Sequence, residues 1–297
     1  MEGHGAIVEP KDGLLVNYDV SSYYPSVIDL LSIAPSGIEK AFLGSYRPMI
    51  VERLKAKGAG KKIAADSLKI VLNSAFGRFK YPGSCLYNPV SMLAVTLNCQ
   101  FFYLMLIEQF LLAGIEILQV NTDGILVYPK TDQIGACEKI VAWWQKLTRH
   151  TLDNDRLDGV LIKDVNTYDW IKKGKVVKEK GKGFRSGGKR FDVDCGFPLI
   201  SGVSVQEYFL RGTPIKKTVM AAIERKDWPL FAVWSSRKEG KEGRRRLRRY
   251  VYAKRAVDKI QGVAGKVALL EDASTMDWGN VDAKKYIADA EGVIRAC

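Results

Sequence analysis

Three separated polar blocks in the sequence make one site only if the chain folds them together, and this requirement constrains the fold more than any other feature. Residues 19–26 (DVSSYYPS) come two residues after an apolar run at residues 14–16. Residues 69–77 (KIVLNSAFG) lie within a helical pattern, and residues 121–124 (NTDG) lie between two apolar runs that are typical of strands. A carboxylate at a strand end, a lysine on a helix and a carboxylate at a hairpin tip are groups suited to moving a nucleotide from a triphosphate.

The apolar periodicity between these blocks predicts a mixed α and β fold. We predict strands at residues 14–20 and 160–165, and a β-hairpin over residues 115–128 with Asp-Gly at its turn. Pro25 is expected to bar a helix from beginning before it. Helices are predicted at residues 38–57, 61–76, 89–113 and 133–149. The first two are separated by a short loop and are expected to pack as an antiparallel hairpin. In the first of them, one side is predicted to be apolar: Leu43, Met49, Ile50, Val51 and Leu54.

The positive charge is concentrated in one part of the chain. The formal net charge is +13, and residues 171–255 hold 24 Lys or Arg against 8 Asp or Glu, so the remainder is close to neutral. A solvated charged surface is the ordinary explanation of a charge run, but a surface of mixed sign would fit that explanation better. Binding to a phosphate backbone explains an excess of one sign directly. We therefore predict a nucleic acid partner whose affinity depends on salt.

The cysteine and histidine content argues against several kinds of site. The 5 cysteines are scattered without a Cys-x-x-Cys pair, which is typical of reduced thiols inside a cell rather than of a zinc or iron–sulfur site. With 2 histidines in the chain, catalysis is expected to rest on carboxylates, lysines and hydroxyls. No apolar run approaches the roughly 20 residues of a membrane helix, and no signal-peptide pattern is present. We expect a cytoplasmic protein with no membrane partner.

The two carboxylates Asp19 and Asp123 are the candidate metal ligands. Phosphoryl transfer is well served by two divalent ions that share carboxylate ligands on a rigid backbone. Each aspartate alone is ordinary, one at a strand end and one in a hairpin turn. They would meet if their strands are neighbours in one sheet.

The predicted helical hairpin carries the candidate triphosphate ligands. Arg53 and Lys57 lie four residues apart and share a helix face, as do Lys69 and Asn73 on the next helix. Antiparallel packing would bring the three cations toward one point, where they would neutralise phosphate charge. Taken singly, each of these cations has an ordinary explanation that needs no ligand, namely a long side chain that lies along the protein surface.

The three blocks together resemble those of family B DNA polymerases, most closely the phage and mobile-element branch related to the protein-primed enzymes. The family pattern D-x-x-S-L-Y-P-S matches residues 19–26, with Tyr23 in place of Leu. The pattern K-x-x-x-N-S-x-Y-G matches residues 69–77, with Phe76 in place of Tyr, and D-T-D matches residues 121–123, with Asn121 in place of the first Asp. Weaker matches at residues 164–168, 182–184 and 212–214 extend the resemblance over nearly the whole chain.

The resemblance implies an α+β right-hand polymerase and a role for each matched residue. It implies a palm with an antiparallel sheet at residues 1–36 and 81–190, helical fingers at 37–80 and a basic thumb at 191–297. Two Mg²⁺ ions, replaceable by Mn²⁺, would be bound by Asp19, Asp123 and the backbone carbonyl of Val20. The incoming dNTP would be held by backbone amides around Ser21, Ser22 and Tyr23, and by Arg53, Lys57 and Lys69. Tyr24 would exclude a 2′-hydroxyl, Asn73 and Gly77 would line the new base pair, and Asn121 and Thr122 would flank the site. Lys180, Lys182 and Phe184 would hold the primer end of the DNA.

Two further expectations concern what the sequence does not contain. No D-x-E exonuclease block precedes the three blocks, so we expect a polymerase without its own 3′–5′ exonuclease, split or truncated, whose exonuclease region is supplied, if at all, by a separate chain. Asn121 keeps a second interpretation open, namely a catalytically inactive DNA-binding or scaffold subunit. A different palm enzyme, such as a reverse transcriptase or nucleotide cyclase, is a third interpretation, but such enzymes lack the block at residues 69–77.

Overall fold

The computed structural model describes residues 7–181, 198–239, 244–256, 258, 263, 265–270, 272, 274 and 276–296. The chain divides into two compact units, one of residues Pro10–Arg156 and the other of Met1–Glu9 with Leu157–Cys297. Both units combine helices with antiparallel strand pairs, so the expected α+β class is confirmed.

The first unit contains a four-stranded sheet and five helices. Its strands are β2 (Leu15–Val20), β3 (Glu116–Val120), β4 (Gly124–Tyr128) and β5 (Leu152–Leu157), and β1 (Ile7–Val8) precedes them in the chain. Its helices are α1 (Tyr23–Leu30), α2 (Glu39–Gly58), α3 (Lys62–Arg78), α4 (Pro89–Leu112) and α5 (Ile134–Thr148). The sheet order is β3-β4-β2-β5, and β4 pairs antiparallel with both of its neighbours. The first predicted strand, the hairpin and the four predicted helices therefore all exist, with ends shifted by one or two residues.

Two local predictions in this unit are wrong. Helix α1 begins at Tyr23, two residues before Pro25, because the first turn of a helix has no intrahelical partner for an N–H group and tolerates proline. In α2 the apolar side is not the predicted one, since Val51 and Leu54 are exposed. The buried positions of α2 follow a different stripe with helical spacing: Phe42, Tyr46, Ile50, Arg53 and Ala56.

The α2–α3 hairpin is fixed by contacts from that stripe. The Tyr46 hydroxyl donates a hydrogen bond to the carbonyl of Leu72 on α3 at 3.0 Å, and both side chains are buried. Phe42 packs against Tyr46 and against Phe79, which follows α3. The hairpin is therefore an ordered wall of the first unit, and the side chains it presents have defined positions.

Helix α4 is the long core helix of the first unit. One of its faces is buried in the apolar core through Val95, Cys99, Tyr103 and Phe110. The expectation that no segment approaches the length of a membrane span is wrong for this helix, which has 24 residues and a mean hydropathy of 1.8 in its most apolar window. Its length and composition would allow it to cross a membrane, and only 28% of its most apolar stretch is buried. The core helices of soluble proteins often have the same length and composition, so these properties alone do not decide the matter. The absence of a membrane partner stays a prediction.

The described residues of the second unit form two sheets and four helices. These sheets have the orders β1-β6-β7-β8 and β11-β10-β9, and the neighbouring strands in both pair antiparallel. The strands are β6 (Gly159–Asp164), β7 (Thr167–Lys172), β8 (Lys175–Lys180), β9 (Val233–Glu239), β10 (Arg244–Tyr252) and β11 (Val267–Leu269). The helices are α6 (Leu199–Arg211), α7 (Ile215–Glu224), α8 (Trp228–Phe231) and α9 (Ala283–Ala296). Strand β6 matches the strand predicted at residues 160–165. The predicted boundary near residues 185–195 lies outside the described residues, and the four-part division of the chain stays a prediction.

A buried carboxylate in the second unit gives a testable pH dependence. Asp169 on β7 is fully buried, and its Oδ2 accepts a hydrogen bond from Gln206 Nε2 at 2.6 Å. Burial raises the pKa of Asp169 to about 7, and the charge of Glu179 acts in the same direction. The hydrogen bond from Gln206 opposes this shift but is the weaker effect. The folded state thus holds this proton more tightly than the unfolded chain, so its stabilising contribution is present below about pH 4 and is lost as the pH rises toward 7.

The variant Asp169→Asn is therefore expected to increase the free energy of unfolding at pH 8 by roughly 1–3 kcal/mol, and by much less at pH 4.5. Asparagine keeps an acceptor for Gln206 but carries no charge at either pH. Chemical denaturation of wild type and variant at the two pH values measures the difference. An equal effect at both pH values would show that the Asp169 charge is not the cause.

Candidate active site

A cleft of about 420 Å³ in the first unit brings the three sequence blocks together. It is lined by residues 19–25 of the β2–α1 segment, by α2 and α3, and by Asp123. The members of the predicted site that line it are Asp19, Val20, Ser21, Ser22, Tyr23, Tyr24, Arg53, Lys57, Lys69, Asn73 and Asp123. Residues more than 100 positions apart in the sequence thus share one cleft, as the blocks require.

The two candidate carboxylates lie beside each other at one end of the sheet: Asp19 is on β2, and Asp123 is in the turn that directly precedes β4. Asp19 on β2 pairs in register with Gly124 on β4, which directly follows Asp123. The Val20 N–H donates a hydrogen bond to the Asp123 carbonyl at 2.8 Å, so the backbone fixes the two aspartates side by side. The nearby Tyr103 is sensitive to both of them: burial raises the pKa of its hydroxyl, and the charges of Asp19 and Asp123 add to that shift.

The segment from Asp19 to α1 contains a constrained turn. Ser22 has φ 55° and ψ 45°, a left-handed conformation that is uncommon for a residue with a Cβ and is found at functional sites. The Ser21 N–H donates to the Thr151 carbonyl at 2.9 Å. The prediction that the Ser21 amide holds a triphosphate oxygen therefore needs correction, because sheet pairing already uses that amide. The Ser21 hydroxyl oxygen, in contrast, accepts a hydrogen bond from Lys57 Nζ at 3.0 Å inside the cleft.

The two tyrosines of the first block differ in environment. Tyr23 is buried, and its hydroxyl donates to the Cys99 carbonyl on α4. Tyr24 is half-buried in the cleft and stacks on Phe76 of α3, with ring centroids 4.4 Å apart and an interplanar angle of 18°. Burial raises the pKa of Tyr24, and the Asp123 charge contributes, so the Tyr24 ring carries a neutral hydroxyl near the carboxylates.

The helical wall of the cleft is cationic. Arg53 on α2 is 9% exposed, and within the described part of the chain its buried Nε has no hydrogen-bond partner. Lys57, one turn later, is exposed and pairs with Asp153. Lys69 lies across the hairpin on α3. A buried guanidinium nitrogen without a partner is costly, so the position suits an anionic ligand that enters the cleft.

No known family model matches the sequence, and no curated protein matches it. Among solved structures, the chain is similar to the family B DNA polymerase from the hyperthermophilic archaeon Pyrobaculum calidifontis, with a TM-score of 0.59 and 17% sequence identity. The likeness covers 100% of this chain and 46% of that polymerase, so the chain spans less than half the length of its structural neighbour. The chain has a family B polymerase fold. At this identity the likeness concerns the fold and not a particular branch of polymerases.

Among the residues that line the cleft of this polymerase fold but are not predicted as site residues from the sequence, three are charged: Lys62, Asp66 and Asp153. Lys62 and Asp66 lie seven and three residues before Lys69, and this helical spacing, which places them on the Lys69 face, is a signal that the sequence contains. Asp153 lies on β5 and has no such signal, because its place depends on the pairing of a strand that follows 132 residues after Ser21.

Some predicted site residues of the polymerase fold lie elsewhere. Of the described residues, Gly77, Asn121 and Thr122 do not line the cleft. Asn121 closes the hairpin turn, where its N–H donates to the Gly124 carbonyl at 2.7 Å. Lys180 belongs to the second unit, on β8, with its Nζ 5.4 Å from the Tyr168 ring centroid. Lys182 and Phe184 lie outside the described residues, and the primer-binding assignment stays a prediction.

Within the part of the chain that the structure describes, no three His, Cys, Asp or Glu side chains gather as a metal-ligand group. The cleft offers the carboxylates of Asp19 and Asp123 instead. This donor set fits Mg²⁺, which is commonly bound by one or two carboxylates, with substrate phosphates and water completing its shell. It would not suit a metal that needs a cage made by the protein alone.

Proposed function

We propose that the chain is a template-directed DNA polymerase that adds dNTPs to the 3′-hydroxyl of a primer by two-metal phosphoryl transfer. The observation that carries the proposal is one cleft that combines paired carboxylates, Asp19 and Asp123, with a cationic wall formed by two helices. The family B polymerase fold supports the same reaction class. A nucleoside triphosphate is the substrate that needs both halves of such a cleft.

The cationic wall would bind the triphosphate. Arg53 provides a buried guanidinium fixed by the packing of α2, and Lys57, Lys62 and Lys69 provide exposed ammonium groups. Arginine binds phosphate oxygens through paired hydrogen bonds in fixed geometry, whereas lysine acts as a mobile point charge. Arg53 would therefore orient the triphosphate, and the lysines would neutralise the charge that develops on the leaving group.

The opposite side of the cleft would hold the reacting groups. Asp19, Asp123 and the Val20 carbonyl would bind two Mg²⁺ ions, with Mn²⁺ as a substitute. When bound, such ions lower the pKa of the attacking hydroxyl and stabilise charge on the transferred phosphate. The sheet pairing of β2 with β4 keeps the two carboxylates in position before substrate arrives, which reduces the reorganisation needed for reaction.

Primer–template DNA would be the partner of the polymerase. Strand β10 has the sequence RRRLRRYVY, and the region around it carries the cationic excess of the chain. Such a region binds a phosphate backbone without sequence preference. In this proposal residues 1–36 and 81–190 form the palm, 37–80 the fingers and 191–297 the thumb.

The same proposal extends to the branch of the polymerase, its location in the cell and its exonuclease. The motifs favour the phage and mobile-element branch, which would place the protein in the cytoplasm of a bacterial host. The polymerase would lack its own 3′–5′ exonuclease, and a separate chain would supply that activity.

A second candidate function is a catalytically inactive DNA-binding or scaffold subunit, and Asn121 is the observation that favours it. Asn121 removes one carboxylate from the hairpin but does not line the cleft, so its effect on the reaction is expected to be small. We expect wild type to extend a primed template with Mg²⁺ and dNTPs, and Asn121→Asp to change the rate by less than about tenfold, the effect of roughly 1.4 kcal/mol.

Gel analysis of primer extension by wild type and Asn121→Asp distinguishes the two functions. Extension only after the substitution, with DNA bound by both proteins, would favour the inactive subunit. Extension by neither protein, with or without a candidate exonuclease partner, would contradict the polymerase.

A further inference from the structure

Asp153 makes a closed set of contacts with Lys57 and Ser21 inside the cleft. Lys57 Nζ lies 2.7 Å from Asp153 Oδ2 and 3.0 Å from Ser21 Oγ, and the Ser21 hydroxyl donates to the same Asp153 oxygen at 3.0 Å. One carboxylate oxygen therefore accepts from both an ammonium group and a hydroxyl. These two donors lie in the cleft that we propose binds the triphosphate.

The Asp153 side of this contact has a fixed backbone. The Thr151 carbonyl accepts from the Ser21 N–H, and the Leu152 N–H donates to Gln145 Oε1 on α5 at 2.8 Å. Asp153 is thus held beside the β2–α1 turn, while Lys57 belongs to the last turn of α2 in the helical hairpin. The pair joins two separate walls of the cleft.

The pair is also easy to exchange. The side chains of Lys57 and Asp153 are 47% and 52% exposed, and ion pairs with this exposure contribute little to folding stability. Although partial burial opposes it, the hydrogen bonds from Lys57 and Ser21 and the nearby charge of Arg53 hold the pKa of Asp153 below its usual range. The carboxylate is therefore charged and competes as an anion for the same cations.

The geometry points to Asp153 as a placeholder for phosphate: in the nucleotide-free chain its carboxylate occupies Lys57 and the Ser21 hydroxyl, and an incoming triphosphate must displace it from Lys57. This inference rests on the proposed function of the cleft. Carboxylate and phosphate oxygens accept from the same donors, so one can replace the other without new groups. Arg53 would bind the triphosphate without such an exchange, since its buried Nε has no hydrogen-bond partner among the described residues.

Because Asp153 and the triphosphate compete for Lys57, only the molecules in which Lys57 is free are ready to bind nucleotide. The apparent affinity is therefore the intrinsic affinity multiplied by that free fraction. Removal of the Asp153 charge is expected to tighten binding by about three- to fivefold, the effect of an exposed ion pair of ordinary strength. Asp153→Glu retains the charge and is expected to stay close to wild type. A residue that only stabilised the fold would not tighten binding when removed.

The experiment is calorimetric titration of dATP, and separately of inorganic tripolyphosphate, into the full chain with Mg²⁺ and without DNA. Asp153→Asn is compared with wild type and with Asp155→Asn, which makes the same change of charge on β5 at a position outside the cleft lining. We expect Asp153→Asn to bind both probes more tightly and Asp155→Asn to bind as wild type does. Thermal unfolding of each variant verifies that it is folded.

The double variant Lys57→Ala with Asp153→Asn separates displacement from simple charge repulsion. If Asp153 acts by occupying Lys57, its removal has no further effect once Lys57 is absent. An undiminished gain in the Lys57→Ala background would identify repulsion and overturn the placeholder. Unchanged or weaker binding by Asp153→Asn, while wild type binds, would overturn it as well. Failure of wild type to bind either probe would contradict the proposed function itself, and the inference with it.

Discussion

Replacing Asp123 by asparagine is expected to reduce primer extension by about 10³-fold or more, because stabilisation of phosphate charge by a bound metal contributes several kcal/mol to such a reaction. Asp123 directly precedes β4, whose pairing with β2 brings it beside Asp19, and both carboxylates line the cleft. Asparagine has the same shape but loses the charge that holds a divalent ion. Single-turnover extension of a labelled primer measures the loss.

Asp132→Asn provides the matched control for this prediction. Asp132 is an exposed aspartate in the 3₁₀ turn Thr131–Gln133, within the same unit and outside the cleft lining. Both substitutions change exposed side chains, so the free energy of unfolding of each variant is expected to lie within about 0.5 kcal/mol of the wild-type value. Substantial extension by a folded Asp123→Asn protein would remove Asp123 from the reaction, and an equal loss in Asp132→Asn would indicate a nonspecific effect of charge.

The second large effect is expected at Tyr24, whose substitution by alanine should raise the incorporation of ribonucleotides relative to deoxyribonucleotides by about 10²-fold. The stacking of Tyr24 on Phe76 fixes a flat ring in the cleft, where the resemblance to polymerases implies that it excludes a 2′-hydroxyl. A bulky group discriminates sterically only when its own position is rigid. Incorporation of paired rNTP and dNTP substrates measures the ratio.

Phe76 tests whether the stacking itself matters. An aromatic pair contributes about 0.5–1.5 kcal/mol, so Phe76→Ala is expected to relax the selectivity by about tenfold at most, less than Tyr24→Ala. Tyr24→Phe keeps the ring and is expected to keep the selectivity. Unchanged selectivity in Tyr24→Ala would show that another group excludes the 2′-hydroxyl.

Much of the fold could be predicted because the local signals agree with the tertiary structure. The apolar run at residues 14–20 forms β2, and the two apolar runs around residues 121–124 form β3 and β4. The short break after α2 predicts the α2–α3 hairpin. The sequence also predicts that the three blocks meet, because carboxylates and cations can act on one triphosphate only when they line the same cleft.

Other features could not be predicted, because they depend on contacts that no local pattern encodes. The buried face of α2 is set by what packs against it, so Arg53 is buried while Leu54 is exposed. Asp153 enters the cleft only because the residue before β5 pairs with the β2–α1 turn. The apolar sequence of α4 predicts a helix, but it does not show which face lies in the core, because apolar residues such as Leu104 and Leu111 are exposed on the other side.

Single-nucleotide addition by the unaltered chain shows whether the protein is a template-directed DNA polymerase. Four primed templates that differ only in the first unpaired base are each incubated with one dNTP at a time and Mg²⁺. We expect the complementary dNTP to be added in each case and the other three to be added far more slowly. No addition on any template, or addition that does not depend on the template base, would contradict it.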